Sequence, residues 1–118
     1  MGFEKFTLKG RGFKPQVSIW SRGQISFNRG AINRYNIDQY KYGILYFDKE
    51  EKLIGIQLTN NENESGLQQI SNRKSSSLIP AKGFLEHYNV DFNETRKYNL
   101  QKGEGESFLV IDLKEQEQ

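Results

Sequence analysis

Cysteine is absent from this chain of 118 residues, which excludes a disulfide framework, a cysteine-ligated zinc site and a thiol nucleophile. Histidine occurs once, at His87, so the usual acid–base and metal-binding residue is nearly missing as well. No apolar run approaches the roughly 20 residues of a bilayer span, and the first residues lack the apolar stretch of a secretory leader. A cytoplasmic protein with no membrane association is therefore expected. Charge is nearly balanced at +2, and hydrophobic residues make up only 35%. Aromatics at 13% nevertheless supply enough bulk for a packed core, so the chain reads as folded.

Charge is balanced in total and divided along the chain. Residues 1–45 carry eight basic residues against two acidic ones, a net +6, and residues 46–118 carry nine against thirteen, a net −4. Such asymmetry points to an anionic partner, or else to ordinary surface charge.

An internal repeat organises the chain. Shifted by 53 positions, Gln16–Asp38 falls on Gln69–Asp91 with identities at Gln16, Ser18, Gly30, Tyr35, Asn36 and Asp38. Arg29 falls over Lys82, Ile25 over Leu78, Ile32 over Leu85 and Ile37 over Val90. Repeats of 15–59 and 67–113 joined by a polar linker, 60–66, imply two half-units sharing one core in a single domain, since neither half alone would bury enough surface. Fusion supplies internally the symmetry that a dimer obtains by pairing, so a monomer is favoured over a dimer.

Taken in order, 3–8 predicts a weak strand and 9–12 a basic glycine turn. Pro15–Trp20 alternates, with Val17 and Ile19 on one face and Gln16, Ser18 and Trp20 on the other. A strand over Gln24–Asn28 follows with Ile25 and Phe27 inward. Asn28 is placed to cap a short helix over Arg29–Asn36 that buries Ala31, Ile32 and Tyr35. Tyr42–Asp48 is apolar on both faces, which predicts a strand buried on both sides. Asp48–Lys52 turns the chain into Leu53–Leu58, with Ile54, Ile56 and Leu58 inward. The second unit repeats the plan: strands at Leu67–Ser71 and Ser76–Ile79, Pro80 opening a helix over Ala81–Tyr88, then strands at Lys97–Gln101 and Ser107–Leu113 around a Gly103/Gly105 turn. Two extra residues fall within Phe92–Thr95, and Lys114–Gln118, with nothing to bury, is expected to fray. The fold class is mainly β, a pseudo-two-fold barrel of duplicated strand-strand-helix-strand-strand units with two short helices.

This pattern, most of all Gly23–Leu58, resembles the cradle-loop β-barrels, which include double-psi barrels and the swapped-hairpin barrels of AbrB-type regulators. The resemblance implies DNA binding through basic residues near the first strand, here Arg22 and Arg29. The chain departs from it in having Phe27-Asn28, rather than proline, where strand meets helix in the first unit. Ser75 also replaces the counterpart of Arg22. Some double-psi barrels self-process at a Gly-Ser bond, and this chain has no Gly-Ser pair.

No nucleophile–base pattern is present, and catalysis, cofactors and metals are not expected. His87 falls over Arg34 and reads as a solvent-facing helix residue. Glu50, Glu51, Glu104 and Glu106 lie in turns without the spacing of a cation-binding loop. The candidate nucleic-acid-binding residues, for DNA or RNA, are Lys9, Arg11, Lys14, Arg22, Arg29 and Arg34. Trp20, whose repeat counterpart is Arg73, either packs under the N-terminal strand or anchors a protein or nucleic-acid partner. A protein-interaction or adaptor barrel is the alternative function.

Overall fold

The computed structural model describes residues 14–74, 76–105 and 107–117, with the side chains of 116 and 117 outside the description. Strands β1 (Gln16–Ile19) and β2 (Gln24–Phe27) lead into helix α1 (Arg29–Tyr35), a 3-10 turn (Ile37–Gln39), and the hairpin β3 (Tyr42–Asp48) and β4 (Leu53–Thr59). The second half gives β5 (Leu67–Gln69), β6 (Ser71–Asn72), β7 (Ser77–Pro80), α2 (Lys82–His87), β8 (Arg96–Lys102) and β9 (Phe108–Glu117). All pairings are antiparallel, in the order β5-β3-β4-β9-β8-β1-β2-β7-β6. Because β5 and β6 are consecutive pieces of one segment, the two ends of the sheet approach each other and the sheet becomes a nearly closed barrel. The alternation read in the sequence explains its interior. Val17, Ile19, Ile25, Phe27, Ile54, Ile56, Leu58, Ile79, Leu100, Leu109 and Ile111 are all buried in one core.

A pseudo-two-fold relation runs through the backbone. The β2–β7 register, from Gln24↔Pro80 to Phe27↔Ser77, maps onto itself under a 53-residue shift, so its axis passes between the two strands. The β4–β9 register, Leu53↔Asp112 to Gln57↔Phe108, does the same under a 55-residue shift. The two extra residues therefore enter between the second helix and β8. Left-handed backbone at non-glycine residues obeys the same relation, with Asn36 paired to Asn89 and Lys52 to Ser107.

Helix α1 starts where expected because the Asn28 carboxamide oxygen accepts from the Ala31 N–H at 2.8 Å. Its counterpart Ala81 has no such side chain, and α2 is one residue shorter.

Four expectations are corrected. Pro80 does not open the second helix but ends β7, opposite Gln24. It sits where β6, which reaches only Ser77 and Leu78, no longer flanks the strand, so a missing N–H is tolerated. Leu67–Ser71 is not one strand. It breaks at Ile70, which is buried and donates its N–H to the Lys41 carbonyl. The strand Tyr42–Asp48 is not buried on both sides along its length, since Tyr46 is 51% exposed. Finally, the chain does not fray from Lys114: β9 continues to Glu117, pairing Tyr98↔Gln116 and Lys97↔Glu117 past a register shift in β8. The weak strand and turn expected at 3–12 lie outside the described residues.

Candidate nucleic-acid interface

Two turn–helix junctions sit at opposite ends of the β2–β7 ribbon. At the first, Trp20–Gly23 forms a tight turn in which the Trp20 N–H donates to the Gln24 carbonyl and the Gly23 N–H to the Trp20 carbonyl, both at 2.8 Å. Gly23 has φ +89°, and a Cβ there would stand 2.5 Å from the Lys82 Cβ, so glycine is required on both counts. The turn is tied to the second half by the Ala81 N–H donating to the Gly23 carbonyl at 2.8 Å, and by the Ser21 N–H donating to Thr95 Oγ1 at 3.1 Å. Arg22 and Lys82 are exposed here, and the Arg22 guanidinium lies 5.3 Å from the centroid of the half-buried Trp20 ring.

The second junction is the pseudo-two-fold counterpart. The Arg73 N–H donates to the Ser76 carbonyl at 2.8 Å, closing a turn one residue shorter than that of Trp20–Gln24. Arg29 Nη2 donates to the Lys74 carbonyl at 2.5 Å, which holds the guanidinium against this turn. Asn28 Nδ2 donates to the Lys14 carbonyl at 2.8 Å and so brings Lys14 to the same place. Lys14, Arg29, Arg73 and Lys74 are all exposed.

Ion pairing divides the molecule as the sequence divides its charge. Among the described residues the ion pairs are Arg96 with Asp91 and Glu94, and Lys114 with Glu51 and Asp112. None involves Lys14, Arg22, Arg29, Arg34, Arg73, Lys74 or Lys82, so the cations of the junctions are not neutralised by a carboxylate of the described residues. Hydrogen bonding from the Asn93 N–H, together with the Arg96 guanidinium, holds the Asp91 carboxyl below its ordinary range, and Asp91 in turn holds Arg96 above its own. Acidic groups are thus matched at the α2–β8 connection, where Arg96 holds Asp91 and Glu94 beside the Thr95 that anchors the first turn.

Of the residues singled out in the sequence, Lys14 and Arg29 come together at one junction, and Trp20 and Arg22 at the other. Arg34 is exposed in the last turn of α1, about 8 Å along the helix axis from Arg29. Lys9 and Arg11 lie outside the described residues. Sequence reasoning passed over Lys74, Arg73 and Lys82, although the repeat itself had set Lys82 over Arg29. His87 is exposed, its ring edge-on to Tyr88. Ser77, in a polar serine run, is buried and donates its hydroxyl to Asn72 Oδ1 at 2.6 Å, a structural use of the group.

Among the described residues, open cavities lie elsewhere. One of about 550 Å³ is lined by Asp38, Tyr40, Lys41, Asn60 and Gln69 among others, and one of about 260 Å³ by Phe47, Tyr88, Val90, Arg96 and Leu113. No group of three or more His, Asp or Glu side chains among the described residues is arranged to hold a metal, and no helix there is long and apolar enough to cross a membrane. No family model, curated protein or solved structure matches the chain.

Proposed function

We propose that this protein is a non-catalytic nucleic-acid-binding β-barrel that holds phosphates on the two basic junctions flanking the β2–β7 ribbon. The observation that carries this reading is their pairing by the pseudo-two-fold axis. Each junction joins a turn of one half to the helix start of the other, and each presents exposed cations with no carboxylate partner among the described residues. Unmatched cations at two fixed points suit a polyanion, which gains by releasing counterions when they bind. The run from strand through short helix to hairpin is the ground of the resemblance to AbrB-type barrels, and a regulator of transcription is the finer form of the proposal.

Fluorescence anisotropy with labelled single- and double-stranded oligonucleotides tests it. With about four phosphates engaged, a fourfold rise in salt should weaken single-strand binding about 50-fold. The double variant Arg22→Glu/Arg29→Glu should abolish binding at moderate salt. Absence of binding at low salt, or binding indifferent to salt, would refute the reading.

A second reading rests on a different surface. Tyr46, the one large side chain with apolar character that is strongly exposed among the described residues, meets Phe108 with ring centroids 5.9 Å apart on the outer face of the β3-β4-β9 sheet. An adaptor function would use that aromatic pair as its anchor. Loss of binding to a captured protein partner on Tyr46→Ser, with nucleic-acid affinity unchanged, would favour it.

A further inference from the structure

The two junctions are alike in charge and unlike in one residue. At the first position of its turn, one carries Trp20 and the other Arg73. From this difference we infer that the preferred ligand is a single strand of nucleic acid, with one base stacked on Trp20 and its flanking phosphates held by Arg22 and Lys82. The inference rests on the nucleic-acid reading above and specifies the ligand of the same surface.

Trp20 lies just past β1 and is neither in the buried core nor among the side chains packed against it, so the barrel core does not require an indole there. Its backbone is held by the bonds that close the turn, while the turn itself is fastened to Ala81 and Thr95. A ring on so fixed a backbone loses little conformational freedom when a flat ligand lands on it. Trp20 remains partly exposed, and the Arg22 guanidinium stands over its ring within cation–π range. Lys82 is in van der Waals contact with the same turn at Gly23. An indole with Arg22 over it and Lys82 rooted against the same turn matches the repeating unit of an unpaired strand, a base with phosphates on either side, once the guanidinium leaves the ring for a phosphate.

A duplex fits this arrangement less well. Its bases are stacked on each other, which leaves the indole no free base face, and its two strands would meet equivalent junctions only if both carried the same chemistry. The second junction has Lys14, Arg29, Arg73 and Lys74, all cations, and can serve as a track for phosphates further along the same strand. From Gly23 to Asn28 the ribbon separates the junctions by about 17 Å, a span that a few nucleotides of a flexible strand can follow.

Trp20 is the sole tryptophan, so its fluorescence reports this contact without labelling. Titrations with oligothymidylate, oligouridylate and a duplex of matched length should show strong quenching by a single strand and at least about tenfold weaker binding of the duplex. Trp20→Leu should weaken single-strand binding at least about fivefold with an unchanged salt slope, whereas Trp20→Phe should retain most of the affinity. Lys82→Glu should reduce the salt slope instead. Preference for the deoxy or the ribo strand, or none, supports the inference equally and identifies the natural strand.

Duplex binding as tight as single-strand binding would overturn the inference and leave the nucleic-acid reading standing. Salt-dependent binding without quenching, or an indifferent Trp20→Leu, would do the same. Absence of binding to all three would overturn both. Quenching is read on the unaltered protein, so the test survives a variant that fails to fold.

Discussion

Lys52 and Ser107 perform the same task on opposite halves of the barrel. The Lys52 carbonyl accepts from the Leu113 N–H at 3.0 Å, and the Ser107 carbonyl from the Leu58 N–H at 2.9 Å. Each partner is also 55 positions from its counterpart. Both residues adopt left-handed backbone, with φ +57° and +60°. The hairpin turn of each half thereby latches onto the last strand of the other, and the two units cannot separate without breaking both latches. The β2–β7 ribbon at the other crossing of the pseudo-axis completes the interlock. A core shared in this way accounts for a repeat of only about 50 residues being stable.

Left-handed backbone costs an L-residue about 1–2 kcal/mol, while glycine's greater freedom when unfolded costs about 0.5–1 kcal/mol. Lys52→Gly should therefore stabilise the protein by about 0.5 kcal/mol, and the β-branched Lys52→Val should destabilise it by about 2 kcal/mol. Urea denaturation of the two variants against the parent measures both signs. A destabilised glycine variant would contradict the role assigned to this turn.

Asn28 does three things at once. Its Oδ1 accepts from the Ala31 N–H and, at 3.1 Å, from the Gln16 N–H, while its Nδ2 donates to the Lys14 carbonyl. Loss of a helix cap alone costs about 1 kcal/mol, and the further bonds add to it. Asn28→Ala should cost about 2 kcal/mol by denaturant unfolding, and Asn28→Asp should recover the cap but not the bond to Lys14. Because Lys14 loses its tether, nucleic-acid affinity should also fall in both variants.

The lowered Asp91 carboxyl gives a pH dependence whose sign is fixed. Hydrogen bonding from the Asn93 N–H and attraction to Arg96 favour the charged form in the folded state. Folded pKa therefore lies below the unfolded value of 3.8, and the associated stability is present above that value and lost as pH falls through the folded one. Asp91→Asn should flatten the acid limb of the stability profile below about pH 4 relative to the parent. Thermal unfolding from pH 2 to 6 resolves the two curves. Identical acid limbs would show that this carboxylate is energetically idle.

Most of the first half was legible because its signals are local. Val17/Ile19, Ile25/Phe27 and Ile54/Ile56/Leu58 alternate with the period of a strand, and Asn28 carries its own cap. The elements misread depend on neighbours far away in sequence. Pro80 is acceptable in β7 only because β6 stops short of it, and the polar residues after Leu113 stay in β9 through backbone pairing with β8. Hydropathy cannot see either arrangement. At the interface, the repeat pointed to Lys82 through Arg29, but Lys74 is placed by the carbonyl it offers to Arg29, a contact 45 residues away in sequence.

Gly55 and Phe108 form a closely fitted contact on the outer face. A Cβ on Gly55 would stand 2.4 Å from Phe108 Cζ, and one on Gly103 would stand 2.7 Å from Phe108 Cδ2. The phenyl ring thus lies across Gly55 of β4 and Gly103 just past β8, with the Tyr46 ring tilted against it. Gly55 is paired with Tyr46 on one side and Val110 on the other, so its backbone cannot shift without disturbing both ladders. Gly55→Ala should therefore cost about 1–3 kcal/mol by overpacking. Phe108→Ala alone should also destabilise, by uncovering the sheet. In the double variant the new methyl occupies space the ring has left, so the combined cost should be less than the sum of the two by at least about 1 kcal/mol. Additive costs in that cycle would mean that ring and glycine do not act as one unit.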